Sequence, residues 1–96
     1  MKLPAANIHG IRPRITCTDG TSLSVQASPL HYSDPQTVEG PHRLVEVGYL
    51  RDAAGNDLPA PPDWEEHGDV LAPVFNYTPV ALVEAFIAQH GGISES

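Results

Sequence analysis

The stretch YTPVALVEAFIAQHGG, residues 77–92, decides which kind of fold this chain adopts. Thr78 is a good N-cap, Pro79 fits a first helical position, and Gly91 supplies a left-handed stop after His90. At about 100° per residue, Val80, Leu82, Val83, Phe86 and Ile87 sweep out a broad apolar arc, as in a helix lying on a sheet. The opposite arc carries Ala81, Ala85 and Ala88, with Glu84 and Gln89 its only strongly polar residues before His90. That weakly solvated face has two readings. Alanine is the best helix former, and a nearly all-round apolar helix is normally covered, here by another copy or a partner.

Upstream of the helix the period is two. In ITCTDGTSLSVQA, residues 15–27, apolar and polar residues alternate on either side of an Asp-Gly turn. A two-residue loop would leave Ile15 opposite Ser24 and split the core. A three-residue loop, Thr18-Asp19-Gly20 with Gly20 left-handed, places Ile15 opposite Leu23, with Cys17 and Val25 in phase. The bulged form is the one predicted. Residues 28–42 hold three prolines and no sustained period, so they read as a connection with one short extended piece. HRLVEVGYL, residues 42–50, is the best strand, with Val45, Val47 and Tyr49 inward. A fourth strand is expected within VLAPVFNYT, where Pro73 confines the first half to an edge or a bulge and Phe75 and Tyr77 share a face. The predicted fold is therefore α+β: a small antiparallel sheet of about four strands, with one C-terminal helix packed on one face.

Ninety-six residues make a single domain, since a chain this short buries only about 60–65% of its unfolded surface and does not support two cores. Residues 1–13 read as an irregular N-terminal segment, and 51–69 as an acidic, proline-rich loop. One cysteine, Cys17, excludes an internal disulfide, which points to the cytoplasm. MKLPAANIHGIR has no apolar run of signal-sequence length, and no segment approaches the roughly 20 residues of a membrane span. A net charge of −7 repels phosphate backbones, and the few arginines form no basic stripe, so direct nucleic-acid binding is not expected. An acidic protein instead suits basic partners, often proteins that themselves hold nucleic acid.

The acidic loop contains the stretch most suggestive of function, PPDWEEHGDV, residues 61–70. Residues 52–69 hold six of the twelve acids and no Lys or Arg. Asp63, Glu65, His67 and Asp69 match the first positions of a calcium loop, but the twelfth would be Val74 and prolines deny it flanking helices. A transition-metal site would have to gather His67 with His31 or His42 and a carboxylate, and no close histidine pair supports it. Metal is not expected, nor any other cofactor. Cys17 with His31 or His42 makes a poor catalytic pair, because Cys17 lies on the apolar face of its strand. Glu65 and Glu66 would serve acid–base chemistry only inside a cleft. An enzyme is not expected, although a metal-dependent one using the loop histidines and acids stands as an alternative.

Trp64 has two readings, a lid folded over the sheet edge or an exposed anchor flanked by steering acids. On the second, Asp57, Asp63, Trp64, Glu65, Glu66 and Asp69 form a partner-binding surface. The combination LSVQAS, HYSDP, VEVGY and the ending YTPVALVEAFIAQHGG resembles small bacteriophage- and prophage-encoded proteins of unassigned function. The resemblance runs from residue 15 onward, excludes the acidic loop, and brings no catalytic residues with it. Its implied context is stoichiometric binding to a host machine, including CRISPR effectors and other defence complexes, in the host cytoplasm. The expected function is thus a non-enzymatic inhibitor that meets a basic, nucleic-acid-binding surface of a host protein. The alternatives are a structural or housekeeping phage protein that homodimerises through Ala81, Ala85 and Ala88, and the metal-dependent enzyme.

Overall fold

A computed structural model describes residues 2–94. Its order is β1 (Ile15–Thr16), β2 (Ser22–Gln26), β3 (Leu44–Arg51), a 3-10 helix (Pro62–His67), β4 (Val74–Pro79) and α1 (Val80–Gln89). The strands form one antiparallel sheet in chain order, β1-β2-β3-β4. The helix packs on β3 and β4. Leu23, Val25, Val45, Val47 and Leu50 from the sheet meet Val83, Phe86 and Ile87 from the helix in one core. The α+β architecture is the one predicted.

The hairpin has the bulged turn. Ile15 pairs with Leu23, the Cys17 amide donates to the Thr21 carbonyl at 2.7 Å, and Gly20 sits at φ +93. A β-carbon there would lie 2.5 Å from that of Ala53, so glycine is required twice over.

Two tyrosines depart from the simple alternation. Ser24 faces Gly48 while Ser22 faces Arg51, so β3 holds one residue more than β2 across that interval. The extra residue flips the phase. Leu50 turns inward, and Tyr49, expected inward, is 44% exposed at φ +54. Similarly, Val45 faces Thr78 while Val47 faces Phe75, which puts an extra residue in β4. Phe75 and Tyr77 therefore do not share a face. Phe75 packs on Trp64, whereas Tyr77, at φ +49, is exposed beside Tyr32. A left-handed non-glycine residue costs about 1–2 kcal/mol, and this sheet contains two.

The helix also begins one residue later than its sequence suggests. Thr78 still pairs with Val45 and donates its hydroxyl to the Phe75 carbonyl at 3.1 Å. Pro79, at ψ 133, is therefore the cap, without a side-chain bond, and the Val80 amide donates to the Arg43 carbonyl at 3.0 Å. The far end follows prediction. Gly91 is left-handed at φ +89, its amide donates to the Ala88 carbonyl at 3.1 Å, and Gly92 donates to that of Ile87 at 2.9 Å, a Schellman closure.

Beyond that closure the chain returns to the first hairpin. Thr18 donates to the Gly92 carbonyl at 2.9 Å and Ser94 to that of Thr16 at 2.8 Å, with Cys17 bridging Ile93. This strap covers the open edge of β1. His90 completes it, with Nδ1 2.7 Å from Asp19 Oδ2 and its ring 4.5 Å from that of Phe86.

Candidate functional site

The acidic segment is not one loop but three folded pieces. The first is a tight turn at the end of β3, where Asp52 Oδ1 accepts from the amides of Ala54 and Asn56, both at 2.9 Å. The second is the 3-10 helix. The third is a hairpin tip in which the Asp69 amide donates to Val74 at 2.9 Å and Gly68 bridges Phe75.

Trp64 holds the middle piece. It is 1% exposed, with its ring centroid 5.4 Å from Phe75 and 5.5 Å from Phe86. Its indole is a core residue and is not available as a surface anchor. Proline at 61 and 62 enters the short helix, and an aromatic of this size has more apolar area to bury than any other side chain in the loop. The lid reading of Trp64 therefore holds, in a stronger form than a cover on the sheet edge.

The six acids divide by what their oxygens do. Asp52 and Asp69 tie turns. Asp69 accepts from the Leu71 amide at 2.7 Å and from Asn76 Nδ2 at 2.9 Å, and these bonds, that from Asn76 foremost, hold its carboxyl below the usual range. Asp69 is thus engaged internally rather than offered to a partner. Asp57, Asp63, Glu65 and Glu66 are exposed. His67 Nε2 lies 3.6 Å from Glu66 Oε1. With Trp64 inward, Asp63, Glu65 and Glu66 stand outward on this short helix, while Asp57, exposed as well, sits after the preceding turn as the bridge partner of Arg51.

The histidines disperse to separate partners: His31 Nδ1 to Ser28 Oγ at 2.6 Å, His42 Nε2 to the Thr37 carbonyl at 2.8 Å, and His90 to Asp19. Among the described residues no three His, Cys, Asp or Glu side chains converge as metal ligands. Cys17 is 1% exposed, and burial, with Asp19 second, pushes its thiol up, away from a nucleophile's range. On the helix, Ala81, Ala85 and Ala88 are all exposed. Among the described residues no helix is long and apolar enough to cross a membrane.

Asp19 is depressed in the same direction as Asp69, first by the Thr21 amide and next by His90. The stability these two carboxylates contribute is present above the ordinary aspartate value of about 3.9. It is lost as pH falls through their lower folded values. Acidification below that range should therefore lower Tm. A doubly substituted Asp19→Asn/Asp69→Asn protein should start lower at neutral pH and show a shallower decline in acid. Parallel Tm-against-pH curves for the two proteins would rule this out.

The sequence reading missed the other face of the sheet. There Ser24, Gln26 and Glu46 floor a groove of about 280 Å³ with Ile11, His31 and Tyr49 on its walls. Its one signal was the doublet Tyr49-Leu50, two large side chains in succession where strict alternation allows one.

No protein-family model, curated protein or solved structure matches this chain.

Proposed function

We propose that this protein is a non-catalytic inhibitor of phage or other mobile-element origin, acting in the host cytoplasm through an acidic ridge of Asp57, Asp63, Glu65 and Glu66. The observation that carries this reading is the burial of Trp64. It fixes the 3-10 helix against the core, so that three of these acids are presented without first having to be ordered, and preorganisation lowers the entropic cost of binding. Charge segregation supports it too. All five Lys and Arg lie within residues 2–51, while residues 52–94 hold seven acids and no cation of either type.

The partner is a host protein whose Lys/Arg-rich surface ordinarily holds nucleic acid, as in CRISPR effectors and other defence complexes. Four exposed acids make a local patch rather than a whole-surface nucleic-acid mimic, and such a patch steers encounter and selects basic partners.

The test leaves Trp64 in place, since its loss would unfold the site. Wild type and an Asp63→Asn/Glu65→Gln/Glu66→Gln variant are used as baits in host lysate at low and high salt. A basic, nucleic-acid-handling protein is expected on wild type only, with capture falling as salt screens the contact. Equal capture by the neutralised variant, or no basic partner on either bait, would overturn the proposal.

A further inference from the structure

We infer that the groove-bearing face of the sheet, opposite the helix, is the contact surface for a second copy of this chain in a two-fold dimer. The inference is independent of the acidic ridge and of the alanine face of the helix.

Antiparallel sheets commonly leave one face to water, but this one carries more than a solvated face needs. Tyr49 and Tyr77, both in the left-handed region, are turned out of the core by the two bulges, and Tyr32 stands 5.7 Å from Tyr77. All three tyrosines are at least 41% exposed. Bulges re-aim side chains, and strain of this kind persists where the surrounding structure or a function holds it. Ile11, at 42% exposure, and Leu30, at 84%, border the same groove or its wall residue His31.

The charges say what fits. At one end of the face Arg51 pairs across the sheet with Ser22. Arg14 donates to Ser22 Oγ at 3.0 Å and to the Tyr49 carbonyl. The two guanidiniums are close enough to repel, and neither forms an ion pair among the described residues. Asp57, the backbone bridge partner of Arg51, borders this end without pairing. At the other end Glu46, opposite Gln26, lines the groove and forms no ion pair among the described residues.

Glu46 and Arg51 lie on the same strand, roughly 15 Å apart. A two-fold axis near Gly48, between them, places Glu46 of each copy on the arginine end of the other. An isologous contact requires that self-complementarity. A chain of net charge −7 associates with itself most readily through a face that keeps its acids outside the contact or opposite cations. The 3-10 helix, packed against the inner side of the sheet through Trp64, stays clear of this one. A dimer built so carries two acidic ridges, and a host assembly with repeated basic sites would bind it with avidity.

Sedimentation velocity on purified protein at micromolar concentration tests the inference, with circular dichroism melts to establish that each variant is folded. Wild type should be a dimer. Glu46→Arg and Arg51→Glu should each weaken association by at least about tenfold, through like-charge juxtaposition. The combined Glu46→Arg/Arg51→Glu protein should recover it. A monomeric wild type would overturn the inference, as would single variants that associate as tightly as wild type or a folded double variant that does not recover. A dimer lost on Ala85→Glu but not on Glu46→Arg would also overturn it and move the contact to the helix.

Discussion

Trp64→Ala is expected to cost about 3–5 kcal/mol of folding stability, the range for removing a fully buried aromatic. Small domains have about 5–15 kcal/mol in total, so the loss takes a large share of the folding stability. The reason is local as well as global. The 3-10 helix has six residues and no side-chain cap; it is held by the indole between Phe75 and Phe86. Removing the ring opens a cavity where the helix, β4 and the acidic segment meet. Urea denaturation followed by far-UV circular dichroism measures the effect, since the substitution removes the only tryptophan and with it the fluorescence signal. A loss below about 0.5 kcal/mol, the size of an ordinary surface substitution, would mean that the indole is not in the core.

The second large effect is expected at Gly91. Alanine there should cost about 2–4 kcal/mol, by adding left-handed strain to overpacking. The residue sits at φ +89, and a β-carbon would run into the Thr18 hydroxyl. Gly92 is an internal control. It is equally left-handed, at φ +86, but nothing lies within 4 Å of the added carbon, so Gly92→Ala should cost only about 1 kcal/mol. The difference between the two variants isolates the clash, and Thr18→Ala should recover part of it. Equal losses at both glycines would show that the helix end does not press on the hairpin.

Those parts of the fold written in local chemistry were legible from the amino-acid order. The Asp19-Gly20 turn determines its own register, because only the bulged loop brings Ile15 opposite Leu23. Gly91 marks the helix stop because no other residue takes that conformation without penalty. What could not be read depends on the pairing partner. Tyr49 and Tyr77 are displaced by single-residue bulges, which are a property of two strands together and leave little trace in either. Thr78 has the chemistry of a cap, but pairing with Val45 holds it in the strand. The acidic segment was legible as charge and not as shape. Nothing periodic distinguishes Trp64, which turns inward, from Glu65 and Glu66, which turn out. Asp69 looks like the other acids until Asn76 and the Leu71 amide engage its two oxygens.

The strap joining the helix end to the first hairpin bears on kinetics rather than on equilibrium alone. The hydrogen bonds of Thr18 and Asp19 to His90 span 72 and 71 positions. Contacts that distant form late, after the local hairpins and the helix, because the closure entropy of the intervening chain opposes them first. The strap is thus expected to be absent from the folding transition state. Weakening it, for example with Thr18→Ala, should leave the refolding rate nearly unchanged and speed unfolding instead. How long the native state persists, rather than how quickly it is reached, would then depend on the few bonds that fasten residues 90–94 to the edge of β1.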